Sequence, residues 1–235
     1  MTTRHILTLA CPDRPGIVHS VSAGLLDVGA NIVENAQFSE PDTGMFCLRT
    51  VLDTGETDPD AVRRAVLARL GNVPTLRVRR EADLPRVLIM VSQVDHCLVD
   101  LLYRWSSGGL RIDIPLIVSN HPDLAHHAER YGIDFRHVPV MPATKPAAEA
   151  ELRGLIDEYA IDLVVLARYM QILSDDLCAH LAGRAINIHH SFLPGFKGAR
   201  PYHQAHHRGV KLVGATAHYV TADLDEGPII EQDVA

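Results

Sequence analysis

Three side chains able to split an acyl group stand towards the C-terminal end of the chain. Asn187 and His189 lie two positions apart in Asn-Ile-His-His-Ser-Phe-Leu-Pro, and Asp225 follows in Leu-Asp-Glu-Gly-Pro. On a strand, side chains alternate, so Asn187 and His189 share one face while Ile188 is expected to turn into the core. An amide N–H and an imidazole can stabilise the oxyanion of a tetrahedral intermediate. A carboxylate can orient the imidazole or take a proton from water. Taken singly, an asparagine at a strand end often closes a turn and a histidine is usually structural; the joint spacing with Asp225 carries the reading. No G-x-S-x-G elbow is present, so a serine nucleophile is not implied.

The elements that must position these groups are alternating strands and helices. Val87-Leu88-Ile89-Met90-Val91 is an all-apolar run, typical of a parallel strand covered on both faces. Further strands are expected at 114–118, 134–138, 162–166, 185–189, 212–220 and 228–234, with helices after residue 97, near 122–131, at 147–159 and from Ser174 to Gly183. The pattern predicts an α/β fold with a doubly wound, mostly parallel sheet, whose ligands bind beyond the carboxyl ends of the strands. Three segments are expected to meet there. One is Arg168, Tyr169, Met170, Gln171, Ile172 and Leu173; the second is the Asn187–His189 strand end; the third is Thr221, Ala222, Asp223, Leu224 and Asp225.

Ahead of this lies a smaller pattern. Residues 5–11, 31–39, 45–52 and 76–79 read as strands, Asp42-Thr43-Gly44 as a hairpin turn. One helix carries Val18, Val21, Leu25 and Val28 and ends at Gly29; another opens at Asp58-Pro59 and carries Val62, Val66 and Leu70. The order β-α-β-β-α-β is ferredoxin-like. Residues 81–85, polar and ending in proline, are the expected linker, giving domains at 1–82 and 83–235.

Composition excludes several classes. The net charge is −7 and no basic run exceeds two residues, which argues against nucleic acid. No apolar stretch approaches a membrane span, and the N-terminus runs into a strand with no apolar signal region, so a cytoplasmic protein is expected. The four scattered cysteines read as reduced and mostly buried. His203 and His207 share a helix face at i, i+4, but no glutamate stands between them and no third ligand is evident, so no metal site is expected.

The stretch Asn187–Gly198, with Gly-Ala-Thr-Ala-His at 214–218 and Leu-Asp-Glu-Gly-Pro-Ile-Ile at 224–230, resembles the folate-dependent formyltransferase family over about residues 85–235. The resemblance implies that Asn187, His189 and Asp225 are catalytic, that 168–173 and 221–224 hold the pterin largely through backbone groups, and that His218 supports Asp225. The substrate implied is 10-formyltetrahydrofolate, with no separate cofactor. Members that bind a phosphorylated amine carry a glycine-rich loop after the first strand; here residues 91–97 hold no glycine and one aspartate. Ser92, His96 and Cys97 resemble the hydrolytic version of that loop, a candidate water and formyl pocket, which implies release of tetrahydrofolate and formate into one-carbon and purine metabolism. A formyltransferase acting on a small amine is the alternative. Relatives usually continue with helical sequence, so a truncated C-terminal end is expected. Asp13-Arg14-Pro15-Gly16 at the first strand–helix junction resembles the ACT family over about residues 3–80. That implies a homo-oligomer with an effector site near Asp13, Arg14, Pro15, Gly16 and Asn31 for a small amino acid such as methionine or glycine.

Overall fold

In a computed structural model the described residues, 3–198 and 200–234, fall into two units, Met1–Leu84 and Pro85–Ala235. The first comprises β1 (Arg4–Pro12), α1 (Ile17–Asp27), β2 (Asn31–Glu40), β3 (Met45–Asp53), α2 (Pro59–Leu70) and β4 (Arg77–Arg80). The sheet order is β2-β3-β1-β4, with β3 antiparallel to β1 and β2 and β4 antiparallel to β1, the ferredoxin-like arrangement. Both helices bury one face against Leu7, Leu9, Leu48 and Leu52 of the sheet. Asp58 caps α2, its carboxylate accepting from Asp60 N at 3.2 Å. The apolar stripe of α1 runs through Ile17, Val21 and Leu25; Val18, expected on it, is exposed because it falls one residue off that i, i+4, i+8 row.

Two features correct the expected effector site. Arg14 donates to Leu70 O at 2.8 Å, so its guanidinium caps the C-terminus of α2. Asn31 also stands apart from Asp13–Gly16. Because β1 and β2 both pair antiparallel with β3, they run parallel, and Asn31 lies level with Arg4 through Asp53. Asp13 follows the other end of a 9-residue strand, roughly 30 Å away at ~3.3 Å per residue. No single chain brings the two together.

The second unit comprises β5 (Arg86–Val91), α3 (His96–Ser106), β6 (Asp113–Ser119), α4 (Ala125–Tyr131), β7 (Asp134–His137) and α5 (Lys145–Glu158). It continues with β8 (Leu163–Leu166), α6 (Asp175–His180), β9 (Ala185–His189), α7 (Pro201–His207), β10 (Gly214–Tyr219) and β11 (Ile229–Val234). The 7-stranded sheet has the order β11-β10-β9-β8-β5-β6-β7. Strands β9 to β7 of that order run parallel; β10 and β11 are antiparallel additions at one edge. The apolar run of β5 supplies both faces, as a strand covered on two sides must. Leu88 and Met90 pack with α5 and α6 residues, while Val87, Ile89 and Val91 pack with α3 and α4 residues. The sequence order reverses between β5 and β8, the switch point where such sheets bind ligands.

Smaller corrections concern boundaries and burial. α4 begins at Ala125, since Pro122–Ala125 form a separate turn closed by Ala125 N to Pro122 O at 3.2 Å. β10 begins only at Gly214, leaving Leu212 exposed ahead of it. Ile188 is half-buried and lines a pocket instead of joining the core. Of the four cysteines, all free, Cys11 and Cys178 are buried, Cys97 is half-buried and Cys47 is exposed on β3, so only two meet the expected burial.

The tightest helix–helix approach generates a prediction. A Cβ built on Gly24 of α1 would stand 2.6 Å from Val66 Cα and 2.9 Å from Ala65 O, both backbone atoms that cannot turn aside. Gly24→Ala is expected to cost about 1–3 kcal/mol by overpacking. For a unit of this size each kcal/mol lowers the melting temperature by roughly 4–8 °C. A calorimetric scan with the transition unchanged would contradict this packing.

Candidate active site

The strand ladder decides which side chains can meet. Asn187 and His189 on β9 pair with His218 and Thr216 on β10, so all four project to one face. Because β10 is antiparallel to β9, its carboxyl end lies beside Ala185, the start of β9. The expectation that three strand ends converge at one sheet edge is therefore wrong for the third. Asp225 reaches His189 by another route: residues 220–228 double back over the sheet face before Pro228 O accepts from Tyr219 N at 2.9 Å.

That return depends on Gly227. A Cβ there would stand 1.8 Å from Tyr219 O, so the loop closes on β10 only with hydrogen at this position. The loop is tied across its tip. Asp225 Oδ2 accepts from Gly198 N at 2.9 Å, and Lys197 Nζ lies 2.7 Å from Glu226 Oε1. Asp225 itself has a left-handed φ of 56°, as does Arg168 at 64°; strain of this kind gathers at ligand sites, where surrounding contacts maintain it.

Hydrogen bonds settle the tautomers. His189 donates from Nε2 to Phe196 O at 2.8 Å, since a carbonyl only accepts. Its Nδ1 then faces Asp225 Oδ1 at 3.4 Å, with His189 5% and Asp225 7% exposed. His218 donates from Nδ1 to Tyr219 O at 2.9 Å, which leaves Nε2 to accept from Asn187 Nδ2 at 3.2 Å. His218 stands farther from Asp225, at 3.8 Å. The contact expected between His218 and Asp225 thus gives way to one with Asn187: His218 turns the Asn187 amide so that its second N–H is free for a ligand.

These groups line a pocket of about 300 Å³, enough for a compact ring system. Residues 168–173 and 221–225, His218, and both Asn187 and His189 all contribute to its wall. Within 168–173 the side chains divide. Tyr169 and Leu173 sink into the core, where burial pushes the Tyr169 hydroxyl up to about 12, while Met170 and Ile172 stand exposed at the rim. Ser174 fastens the end of this segment, its backbone N–H donating to Glu149 Oε1 at 2.9 Å.

Ser92, His96 and Cys97, expected as a water and formyl pocket, are absent from the wall. Ser92 is buried with its hydroxyl committed, donating to Asn120 Oδ1 at 2.6 Å and accepting from Met170 N at 2.9 Å. It is a pin between β5, β6 and the 168–173 segment. His96 begins α3 exposed, and burial raises the pKa of the Cys97 thiol. Several lining residues escaped the sequence reading, and one of them carries an ionisable ring near His189. His190 lines the wall, its ring 5.6 Å from that of His189, and burial with the Arg168 charge holds its pKa down at about 4. It is a neutral imidazole near pH 7. Its place directly after His189 was the only available signal.

Among the described residues no group of three or more His, Cys, Asp or Glu is placed to hold a metal, and no helix is long and apolar enough to cross a membrane. The α7 histidines, His203, His206 and His207, are exposed.

Gly227→Ala is expected to displace Asp225 from His189 without unfolding the unit. If formyl chemistry depends on that pair, turnover should fall by about 10²-fold, the cost of roughly ångström-scale misplacement. Turnover within twofold of wild type would show that the loop does not position the site.

Comparison with known proteins gives concordant relationships. The formyl transferase family model matches residues 85–235. A formyltetrahydrofolate deformylase of Corynebacterium sp. is 50% identical over 98% of this chain and 82% of its own length. That of Escherichia coli is 41% identical over 98% of this chain and 82% of its own. The solved deformylase of Burkholderia mallei superposes with a TM-score of 0.91 at 48% identity, covering 99% of this chain and 83% of that one. A glycinamide ribonucleotide transformylase from Symbiobacterium toebii matches 66% of this chain and 75% of its own, at 32% identity and a TM-score of 0.61. The long, high-identity matches run through both units, and on that ground the chain belongs to the formyl transferase family, among the formyltetrahydrofolate deformylases.

Proposed function

We propose that the chain hydrolyses 10-formyltetrahydrofolate to tetrahydrofolate and formate, with Asn187, His189 and Asp225 as the groups that act on the formyl carbon. The observation that carries the assignment of residues is the buried His189–Asp225 pair, 3.4 Å apart, beside an Asn187 amide whose orientation His218 sets. The pterin is assigned to the wall formed by 168–173 and 221–224, where exposed Met170, Ile172 and Leu224 offer apolar surface to an aromatic ring. The scheme uses no resident cofactor. Free cysteines and a net charge of −7 suit a cytoplasmic enzyme with no nucleic-acid partner.

The reaction balances with these groups alone. Water, held by Asp225 Oδ1, gives that carboxylate a proton as its oxygen bonds to the formyl carbon. The carbonyl electron pair moves onto oxygen, where the free Asn187 N–H receives it. Since His189 Nε2–H is held by Phe196 O, the ring delivers a proton only from Nδ1, and therefore from its doubly protonated form. That proton goes to N10 as the oxygen pair re-forms the carbonyl and the carbon–nitrogen bond breaks, and the proton taken up by Asp225 then returns to His189 Nδ1. Water is favoured over an amine acceptor by the loop after β5. Ser92 is fully bonded, Asp95 adds negative charge, and no glycine opens a phosphate cradle.

Purified enzyme given 10-formyltetrahydrofolate alone should release formate, and added amines should not accelerate it. Asn187→Ala and His189→Ala should each lower turnover by roughly 10²–10³, the usual loss for one oxyanion donor. Asp225→Asn should abolish formate release while retaining folate binding by fluorescence titration. A wild type silent until an amine is supplied, or an Asp225→Asn enzyme of near-normal rate, would reverse the assignment.

We further infer that the N-terminal unit is an ACT-like domain that works in pairs. β2 is a 10-residue edge strand exposed along nearly its whole length, including Ile32, Val33 and Phe38. Such edges pair readily with a second copy. Antiparallel β2–β2 pairing would set Asn31 of the partner subunit against the Glu40 end, which adjoins Asp13 through Met45 and Pro12. A small amino acid such as methionine or glycine is then expected between them. Sedimentation should give a dimer or larger species, and calorimetry should register heat with one of the two amino acids. A monomer at micromolar concentration would remove the site together with the pairing.

A further inference from the structure

Among the described residues, one cation at the pocket has no ion-pair partner. Arg168 follows β8 in a left-handed conformation and lines the same wall as Asn187, His189 and His190. Its Nε is buried with no hydrogen-bond partner, and among the described residues its guanidinium enters no ion pair. The nearby carboxylate, Asp225, is already engaged by Gly198 N and His189. Burying part of a cation without a partner is costly unless an anion completes it. The guanidinium is a planar fork of N–H donors, matched to a planar carboxylate. It shares the pocket wall with His190, whose ring lies 5.6 Å from that of His189 and whose pKa is lowered by burial and by this charge.

We propose that Arg168 is the binding point for the carboxylate product, holding formate beside His190 once the carbon–nitrogen bond has broken. The inference rests on the hydrolysis proposed above. Collapse of the tetrahedral adduct releases formic acid, its proton passes to water, and the anion left behind carries the charge that Arg168 lacks. Formate is preferred to the glutamyl carboxylates of the folate because those are separated from the formyl carbon by the whole p-aminobenzoyl ring. An unpaired cation here also repels an ammonium group, in keeping with water as the acceptor.

Direct binding of [13C]formate, followed by NMR line width on the intact chain, tests the site without turnover. Wild type should bind formate saturably. Arg168→Met should weaken it at least about tenfold, and Arg168→Lys, which keeps the charge but loses the fork, should fall between them. An unchanged thermal unfolding transition in both variants would establish that the unit is intact. Equal formate affinity in wild type and Arg168→Met, or no saturable binding by wild type, would overturn the proposal. So would a variant that loses affinity for tetrahydrofolate but not for the glutamate-free tetrahydropteroate, since the cation would then serve the tail. Formate binding that depends on Arg168 in an enzyme unable to hydrolyse 10-formyltetrahydrofolate would uphold the anion site while refuting the hydrolysis.

Discussion

The hydrogen bond from His189 Nε2 to the Phe196 carbonyl governs the chemistry of the catalytic unit. A carbonyl cannot donate, so one imidazole nitrogen is committed and the other must face Asp225. Every later assignment inherits this. Asp225 is held within reach of Nδ1 by Gly198 N, on the same 196–198 turn that supplies the carbonyl. One short segment thus fixes the His189 ring, its tautomer and the position of the carboxylate.

The same economy applies to the support around the pocket. His218 neutralises one side of the Asn187 amide and so aims the other. Ser92 joins two strand ends to Met170, and Glu149 clasps Ser174 at the far end of the segment. Between those clasps Tyr169 and Leu173 anchor in the core, leaving Met170 and Ile172 outward. The apolar rim is therefore held at both ends by Ser92 and Glu149, which do not line the pocket, the kind of support that preorganised sites require.

The antiparallel edge explains why one of the three segments reaches the β8 and β9 ends across the sheet face and not from its own strand end. β9 is the last of the parallel strands, and pairing β10 in reverse puts its exit at the wrong end for a carboxylate to meet His189. The chain resolves this by returning 220–228 over the sheet, which requires the missing side chain at Gly227 and left-handed backbone at Asp225. In the N-terminal unit a comparable topological rule acts against a site. A parallel β1 and β2 separate Asn31 from Asp13–Gly16, so any ligand contacting both must draw on two copies.

Local patterns were legible wherever a single element decides the outcome. The apolar run of β5, the capped start of α2 and the alternation of Asn187 with His189 follow from periodicity and capping chemistry, which involve neighbours a few residues away. The Asn-x-His and Asp-x-Gly segments also sufficed to bring the family and its chemistry into view. What the sequence left open was direction and partnership. Whether β10 runs with or against β9, which nitrogen of His189 is bound, that Ser92 is a pin and His218 a support for Asn187, and that Arg168 stands unpaired all depend on groups far apart in the chain. Hydrogen bonding and charge pairing act over a few ångströms of space, and only the tertiary fold sets those distances.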